Sequence, residues 1–263
     1  ARGHRVDHCA MTDLYLLAGV AHAKVRQATV QRDPARPITL ADAEDVCLRD
    51  VDAVLVRTDP PFDEPYLWGT QILETLRGET LVVNDPRGLR DANEKLYACH
   101  FPALMTDTLV TNDAARIKAF VGTVGGRAVI KPLSGAGGAG VMGLTVGDMN
   151  FNAIVEATTL SGKRVAMVQK YLPDVVRGDK RILLLDGEPL GAILRVPRKD
   201  DLRSNIHVGG TVESAQLDDA DRAIIAGVAQ RLRADGLIFV GLDVIGGKLT
   251  EVNVTSPTGI QQM

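Results

Sequence analysis

An α/β fold in two units is what this sequence predicts, and three observations predict it. Short apolar runs of strand length alternate with segments of helical spacing along most of the chain. The texture changes near residue 93, beyond which strand, glycine-rich loop and strand follow one another. Residues 238–253 read as an antiparallel hairpin, an apolar run turning at Gly246-Gly247 and returning through Leu249 to Asn253.

Residues 53–56 are a short apolar strand, 70–77 carry helical spacing, and 80–84 are the next strand. Residues 84–88 (NDPRG) read as a turn cluster, and 91–101 as a helix stopped by Pro102. Together these suggest a small, parallel, Rossmann-like layer. In the second unit, 128–132 is a strand running into the glycine-rich run 134–140, followed by 141–144. Residues 164–171 and 180–185 read as strands, the latter turning at 186–189 into 190–196. Residues 218–234 form an amphipathic helix with Asp at its start and Arg near its end, complementing the helix dipole. There is no internal repeat and no low-complexity tract.

With 263 residues, 45% hydrophobic and 24% charged, the chain can bury one large or two moderate cores. A net charge of −3 gives no electrostatic footprint for nucleic acid or an anionic membrane. No apolar stretch approaches the ~18 residues needed to span a bilayer. Cys9, Cys47 and Cys99 lack zinc or redox spacing, so a reducing, cytoplasmic location is expected.

The chemistry concentrates in the second unit. Asp243 lies on one arm of the hairpin; Glu251 and Asn253, two apart on the other, project from one face. Two carboxylates and an amide suit Mg²⁺, which takes oxygen ligands and completes its shell with waters and phosphates. The glycine run is not a Walker A loop, since no GxxxxGK[ST] is present and no helix follows. It is either a hairpin turn or a flap whose N–H groups cover phosphates. Lys131, wedged between an apolar run and Pro132, and Lys95, on the expected 91–101 helix, can neutralise such phosphates. The strand end at 169–172 can offer backbone groups to a base edge. Asp179, Lys180 and Arg181 head the next strand. Asp59-Pro60-Pro61-Phe62-Asp63 is a stiff loop at a strand's carboxyl end, where open α/β sheets bind ligands. Residues 195–205 are basic and polar, suited to a lid over an anionic substrate.

In this order the features resemble the ATP-grasp ligases and, within them, the bacterial glutathione synthetases. The closer match is carried by residues 57–63 (RTDPPFD), 89–96 (LRDANEKL), 178–181 (GDKR), 238–245 and 251–258 (EVNVTSPT). It runs from about residue 50 to 260. The resemblance implies an ATP-grasp fold with an N-terminal Rossmann-like (pre-ATP-grasp) α/β domain. Residues 1–92 would form the substrate domain and 93–263 the nucleotide-binding and catalytic domain, with a flap at about 131–145 and a lid at about 195–211. The implied reaction ligates γ-glutamylcysteine and glycine through an acylphosphate, using ATP and two Mg²⁺ ions, for which Mn²⁺ can substitute. Lys95 and Lys131 would contact the phosphates, Gly135, Gly137 and Gly138 would cover them, and Gln169, Lys170, Tyr171 and Leu172 would hold adenine. Asp179 would hold the ribose. Asp243, Glu251 and Asn253 would ligate the metal. Arg181, with Lys131 and Arg203, would serve catalysis; Asp59, Asp63, Arg203, Asn205, Ser256, Pro257 and Thr258 would face the peptide. A homo-oligomer, dimer or tetramer, is expected.

The sequence departs from that pattern at Ser134, where an acidic or aromatic residue is usual, and at Thr211 and Gln261, where arginines are expected. The family's first strand and its terminal helix are expected to be missing from this chain. Two alternatives stay open at this point. One is another ATP-grasp carboxylate–amine ligase, which would keep the metal set but not the DPPFD loop. The other is a nucleotide-binding regulatory protein without turnover, which would show a broken metal set or a lost strand lysine.

Overall fold

The computed structural model describes residues 3–33, 35–135, 137–197 and 211–263. The chain opens with an antiparallel sheet that the sequence reading does not assign: β1 (Asp7–His8), β2 (Leu14–Leu17), β3 (Val20–Val30) and β4 (Ile38–Cys47). All three others pair with β3. Ala21, Ala23 and Val25 are buried while Lys24 and Arg26 are exposed, the period-two signature of a sheet with one wet face. The dry side meets α1 (Glu64–Glu74): a Cβ on Gly69 would lie 3.3 Å from Leu14 of β2 and 2.6 Å from the sulfur of Met11, in the turn before that strand.

β5 (Ala53–Leu55) and β6 (Leu81–Val83) form the parallel pair, with α1 between them in the chain. α1 starts earlier than its spacing suggests because Asp63 caps it, accepting from the Tyr66 N–H at 3.1 Å. The expected turn at 84–88 is instead the start of α2 (Pro86–Asp91): Asp85 caps it by accepting from the Arg87 and Gly88 N–H groups, and Pro86 occupies the first turn. The expected helix over 91–101 does not form. Asn93 Oδ1 accepts from the N–H groups of Lys95 and Leu96, and the Glu94 carbonyl accepts from Val252 N–H at 3.0 Å. A side chain and a distant strand thus take the groups a helix would use. Only a 3₁₀ turn over Tyr97–His100 remains.

The second unit has two antiparallel sheets. The smaller contains β7 (Thr108–Thr111), β8 (Arg127–Pro132), β9 (Met142–Thr145) and β10 (Ala166–Lys170) in the order β7-β10-β8-β9. Ile117 and Val121 of α3 (Ala114–Thr123) and Phe151 and Val155 of α4 (Phe151–Thr159) pack on Ile130, Leu144 and Val168 of that sheet. The larger runs β13-β12-β11-β14-β15, with β11 (Asp179–Leu185), β12 (Glu188–Val196), β13 (Thr211–Ala215), β14 (Phe239–Ile245) and β15 (Lys248–Asn253). α5 (Asp219–Ala234) forms as expected and buries Ile224, Ile225, Val228 and Leu232 in the larger core. Each such side chain contributes ~1.5–3 kcal/mol on burial. That core continues through Leu89 and Tyr97 into Leu73 and Leu76, so the N-terminal elements and the larger sheet share one apolar interior.

Candidate active site

Strand register builds the centre of the site. Arg181 on β11 lies opposite Asp243 on β14, and Asp243 lies opposite Glu251 on β15. Directly opposed residues share a face, so the three side chains form a row across three strands. Leu242 and Val244 alternate onto the other face and are buried in the core, which fixes which side the row takes. Gly241, in the next row, is opposite Asn253. A Cβ there would lie 2.9 Å from Pro257 and 3.1 Å from Arg181, so glycine lets the guanidinium lie flat on the strand.

This row forms one wall of a cavity of about 740 Å³ between the two sheets, large enough for a bound small molecule. Val129 and Lys131 of β8, the strand end Gln169 to Leu172 and the flap residues Gly135, Gly137 and Gly138 contribute the opposite side. Gly137, Gly138 and Gly140 have positive φ, a conformation that disfavours any side chain. Lys95 reaches up to the flap, donating from Nζ to the Gly135 carbonyl at 2.5 Å.

Charges in the cavity are matched. Asp243 Oδ1 accepts from Arg181 Nε at 2.5 Å, and its Oδ2 accepts from Arg181 Nη2 at 3.2 Å and lies 3.0 Å from Arg195 Nη2. Arg195 also pairs with Asp179, which it faces across β11 and β12. Glu251 Oε1 lies 3.5 Å from Lys131 Nζ and 3.8 Å from Lys95 Nζ. Burial alone would raise the Asp243 carboxyl, but Arg181 and Arg195 outweigh it and hold Asp243 well below the usual carboxylate range. Burial, reinforced by the charges of Asp243 and Glu251, pushes Asp179 up to about 7 against the pull of Arg195 and Arg181. Among the described residues the buried Oδ1 of Asp179 has no hydrogen-bond partner, which suits a hydroxyl donor from a bound ligand.

The donor set fits a hard cation with few protein ligands. Asn253 donates its amide to the Gly241 carbonyl at 3.3 Å, so that its own carbonyl oxygen is available to a cation beside Glu251. Among the described residues no three His, Cys, Asp or Glu side chains converge into a cage. Asp243 is already held by arginines. That pattern suits Mg²⁺, whose shell is largely water and phosphate, better than a metal that needs a full protein cage.

The far end of the cavity is built from both units. Ser256 Oγ donates to Asp59, Arg57 donates to the Pro257 carbonyl at 2.9 Å, and Arg181 Nη1 donates to the Thr258 carbonyl at 3.3 Å. Arg57 also lies 5.2 Å over the Phe239 ring. The Glu94 carboxylate accepts from the N–H groups of Val254 and Thr255 and from the Thr255 hydroxyl, fixing the segment after β15.

Of the residues expected from the sequence, Lys95, Lys131, Gly135, Gly137, Gly138, Gln169, Lys170, Tyr171, Leu172, Asp179, Arg181, Asp243, Glu251, Asn253, Asp59, Ser256 and Thr258 line this one cavity. Pro257 contributes its carbonyl to Arg57 and packs on Gly241 rather than lining the cavity. Asp63 sits outside it as the cap of α1. Arg203, Asn205 and most of the 195–211 lid lie outside the described residues. Sequence reasoning gave no role to Arg57, Glu94, Arg195 or Thr250, although all line the cavity. Arg57 and Glu94 stand inside the RTDPPFD and LRDANEKL motifs, and Arg195 at the head of the basic 195–205 stretch.

The family profile described as "Prokaryotic glutathione synthetase, ATP-grasp domain" matches residues 94–263, and that described as "Prokaryotic glutathione synthetase, N-terminal domain" matches residues 1–90. The chain is 48% identical to a glutathione synthetase of Gloeobacter violaceus, covering 98% of this chain and 82% of that protein. It is 46% identical to one from Synechococcus elongatus, over 100% of this chain and 84% of that one. A glutathione synthetase of Vibrio cholerae is 44% identical, over 100% and 83%. Among solved structures, the D-cycloserine synthetase DcsG superposes with a TM-score of 0.62 at 18% identity, covering 81% of this chain and 78% of that one. The D-alanine–D-alanine ligase of Bacillus anthracis complexed with ATP gives 0.55 at 15% identity, covering 79% and 68%. At those identities the structures establish the ATP-grasp fold alone.

Proposed function

The chain belongs to the prokaryotic glutathione synthetase family, and from that premise we propose how its residues divide the work of ligating γ-glutamylcysteine to glycine. It is an ATP-dependent ligase forming a peptide bond, with glutathione, ADP and phosphate as products. The observation that carries the residue assignment is the Arg181–Asp243–Glu251 row facing Lys95 and Lys131 across one cavity. Such a wall matches a nucleotide triphosphate with its metal at one end and a carboxylate at the other.

ATP-grasp proteins use ATP with a divalent metal; here Asp243, Glu251 and Asn253 would hold two Mg²⁺ ions, which Mn²⁺ can replace. When bound, the metal would supply positive charge to neutralise the phosphates and act as a Lewis acid there. Lys95 and Lys131 turn from Glu251 to the phosphates, and Lys95 thereby leaves the Gly135 carbonyl, freeing the flap to settle on the nucleotide. Gln169, Lys170, Tyr171 and Leu172 hold adenine, and Oδ1 of Asp179, without a partner among the described residues, accepts from a ribose hydroxyl. Arg181, already beside the Thr258 carbonyl, orients the cysteinyl carboxylate and stabilises charge as the γ-phosphoryl group moves to it. The glycine amine then attacks the acylphosphate and phosphate leaves, with no covalent enzyme intermediate. Asp59, Ser256 and Thr258 face the peptide; Asp63 and Pro257 act by holding that loop in place. Arg203 and Asn205 belong to a lid that keeps water from the acylphosphate.

Residues 1–92 serve the substrate and 93–263 the nucleotide. The protein works in the cytoplasm as a homo-oligomer, dimer or tetramer, without nucleic-acid or membrane partners. Among the described residues no helix is long and apolar enough to cross a membrane.

The test is phosphate release by this protein with ATP, Mg²⁺ and γ-glutamylcysteine, with and without glycine, and with D-alanine or glutamate as alternative amines. Release that needs both γ-glutamylcysteine and glycine is expected. Turnover with another amine instead would overturn the substrate assignment while keeping the ATP site.

A further inference from the structure

Resting on the nucleotide site just described, we propose that Arg127 is a positioning residue for the nucleobase end of the cavity and acts through Tyr171. Residues 127, 129 and 131 share one face of β8, and Val129 and Lys131 of that face line the cavity. Arg127 is the outermost of the three, at the end away from the phosphate lysine. On the neighbouring strand Lys170 opposes Ala128, and one step further the Tyr171 N–H donates to the Arg127 carbonyl at 3.2 Å. Tyr171 and Arg127 are therefore directly opposed, with side chains on the same cavity face. The guanidinium lies over the tyrosine ring, 4.1 Å from its centroid, and makes no ion pair among the described residues. Its cation is committed to the ring.

Backbone bonding around this pair leaves one donor for a ligand. The Lys170 N–H goes to the Asp107 carbonyl at 2.9 Å, and the Leu172 carbonyl accepts from the Val175 N–H at 3.1 Å. The Leu172 N–H has no backbone acceptor among the described residues, and Leu172 lines the cavity. The orientation of that donor depends on how the chain leaves β10 at Tyr171, which the Arg127 carbonyl and guanidinium clamp from one strand. Arg127 thus preorganises the hinge without touching the nucleotide itself.

An exposed cation–π contact of this kind is worth roughly a 2–5-fold effect on an equilibrium. The experiment measures binding of ADP with Mg²⁺ by calorimetry to the whole chain and to R127A, R127K, Y171L, the R127A/Y171L double variant and K131M, together with KM values. R127A is expected to weaken ADP about 2–5-fold and raise KM for ATP in step, leaving KM for γ-glutamylcysteine where it was. R127K should fall between, because an ammonium keeps the charge but lacks the flat face. The double variant should lose no more than the larger single loss. Unchanged ADP binding in R127A, additive losses in the double variant, or a parallel rise in KM for γ-glutamylcysteine each overturn the proposal. K131M separates the two layers: it should lose ADP binding at least tenfold. If it binds ADP like the wild type, the nucleotide site itself is misplaced and the Arg127 role falls with it.

Discussion

Burial pushes two carboxyls of the cavity upward, but the arginines beside them leave one raised and the other lowered, and their difference makes residue-scale predictions. Asp179 is raised by burial to about 7, so its contribution to folding is complete while it is protonated and is lost as pH rises from 3.8 to about 7. Asp243, lowered by Arg181 and Arg195, contributes stability above 3.8 that is lost only as pH falls. Melting temperatures of the nucleotide-free protein from pH 4 to 7 should therefore fall relative to D179N as pH rises. A parallel pair of curves would show that Asp179 ionises at its ordinary pH. At Glu251 the prediction concerns activity. E251Q removes the charge that both lysines face and an expected metal ligand, and turnover should drop by about 10²–10³-fold. Steady-state phosphate release within tenfold of wild type would take Glu251 out of the site.

At the scale of elements, caps and competing hydrogen bonds decide where helices begin and fail. α5 begins with a capping box in which Asp218 and Asp221 each accept from the other's backbone N–H, and Lys180 binds both carboxylates. D218A should cost about 1 kcal/mol, a melting shift of ~2–4 °C, with Lys180 still held by the buried Asp221. Thermal denaturation checks this; no shift would mean the box is redundant. The helix expected over 91–101 carries the opposite lesson. Its composition permits a helix, but Asn93 caps its own turn and Glu94 pairs with β15, so Lys95 is presented from a turn held against the strand that bears Glu251. Periodicity alone does not register that competition, because the winning partner is more than 150 residues away.

For the molecule as a whole, the N-terminal elements and the larger sheet are joined by a buried side chain as well as by the shared core. Asn84 donates to the carbonyls of Phe239 and Val254, both at 2.8 Å, and accepts from the Phe239 N–H at 2.6 Å. N84A strands these backbone groups in the interior, at about 1–3 kcal/mol for each one left unsatisfied. The melting temperature should fall by several degrees, and KM for γ-glutamylcysteine should rise, since Asp59 and Ser256 reach the site from opposite sides of this joint. A normal melting temperature would mean the joint is held by packing alone.

What the sequence by itself determined was the set of elements whose signals are local. The β14–β15 hairpin, α5, the glycine flap and the strand-end lysine follow from period-two or helical spacing, turn residues and caps within a few positions of each other. Asp243, Glu251 and Asn253 were legible as oxygen donors for that reason, and the DPPFD and NVTSPT runs by resemblance. Only the tertiary structure decided that Arg195 stands between Asp179 and Asp243, that Glu94 anchors the segment after β15, that Arg57 reaches Pro257, and that Asp63 caps a helix instead of facing the cavity. The antiparallel sheet of residues 7–47 belongs with them, since β3 alternates only in its first half and β4 is exposed along most of its length. Each of these depends on inter-strand register or on closing a loop between distant segments. Register and closure are set by the summed packing of the whole core, and no short window of sequence carries that sum.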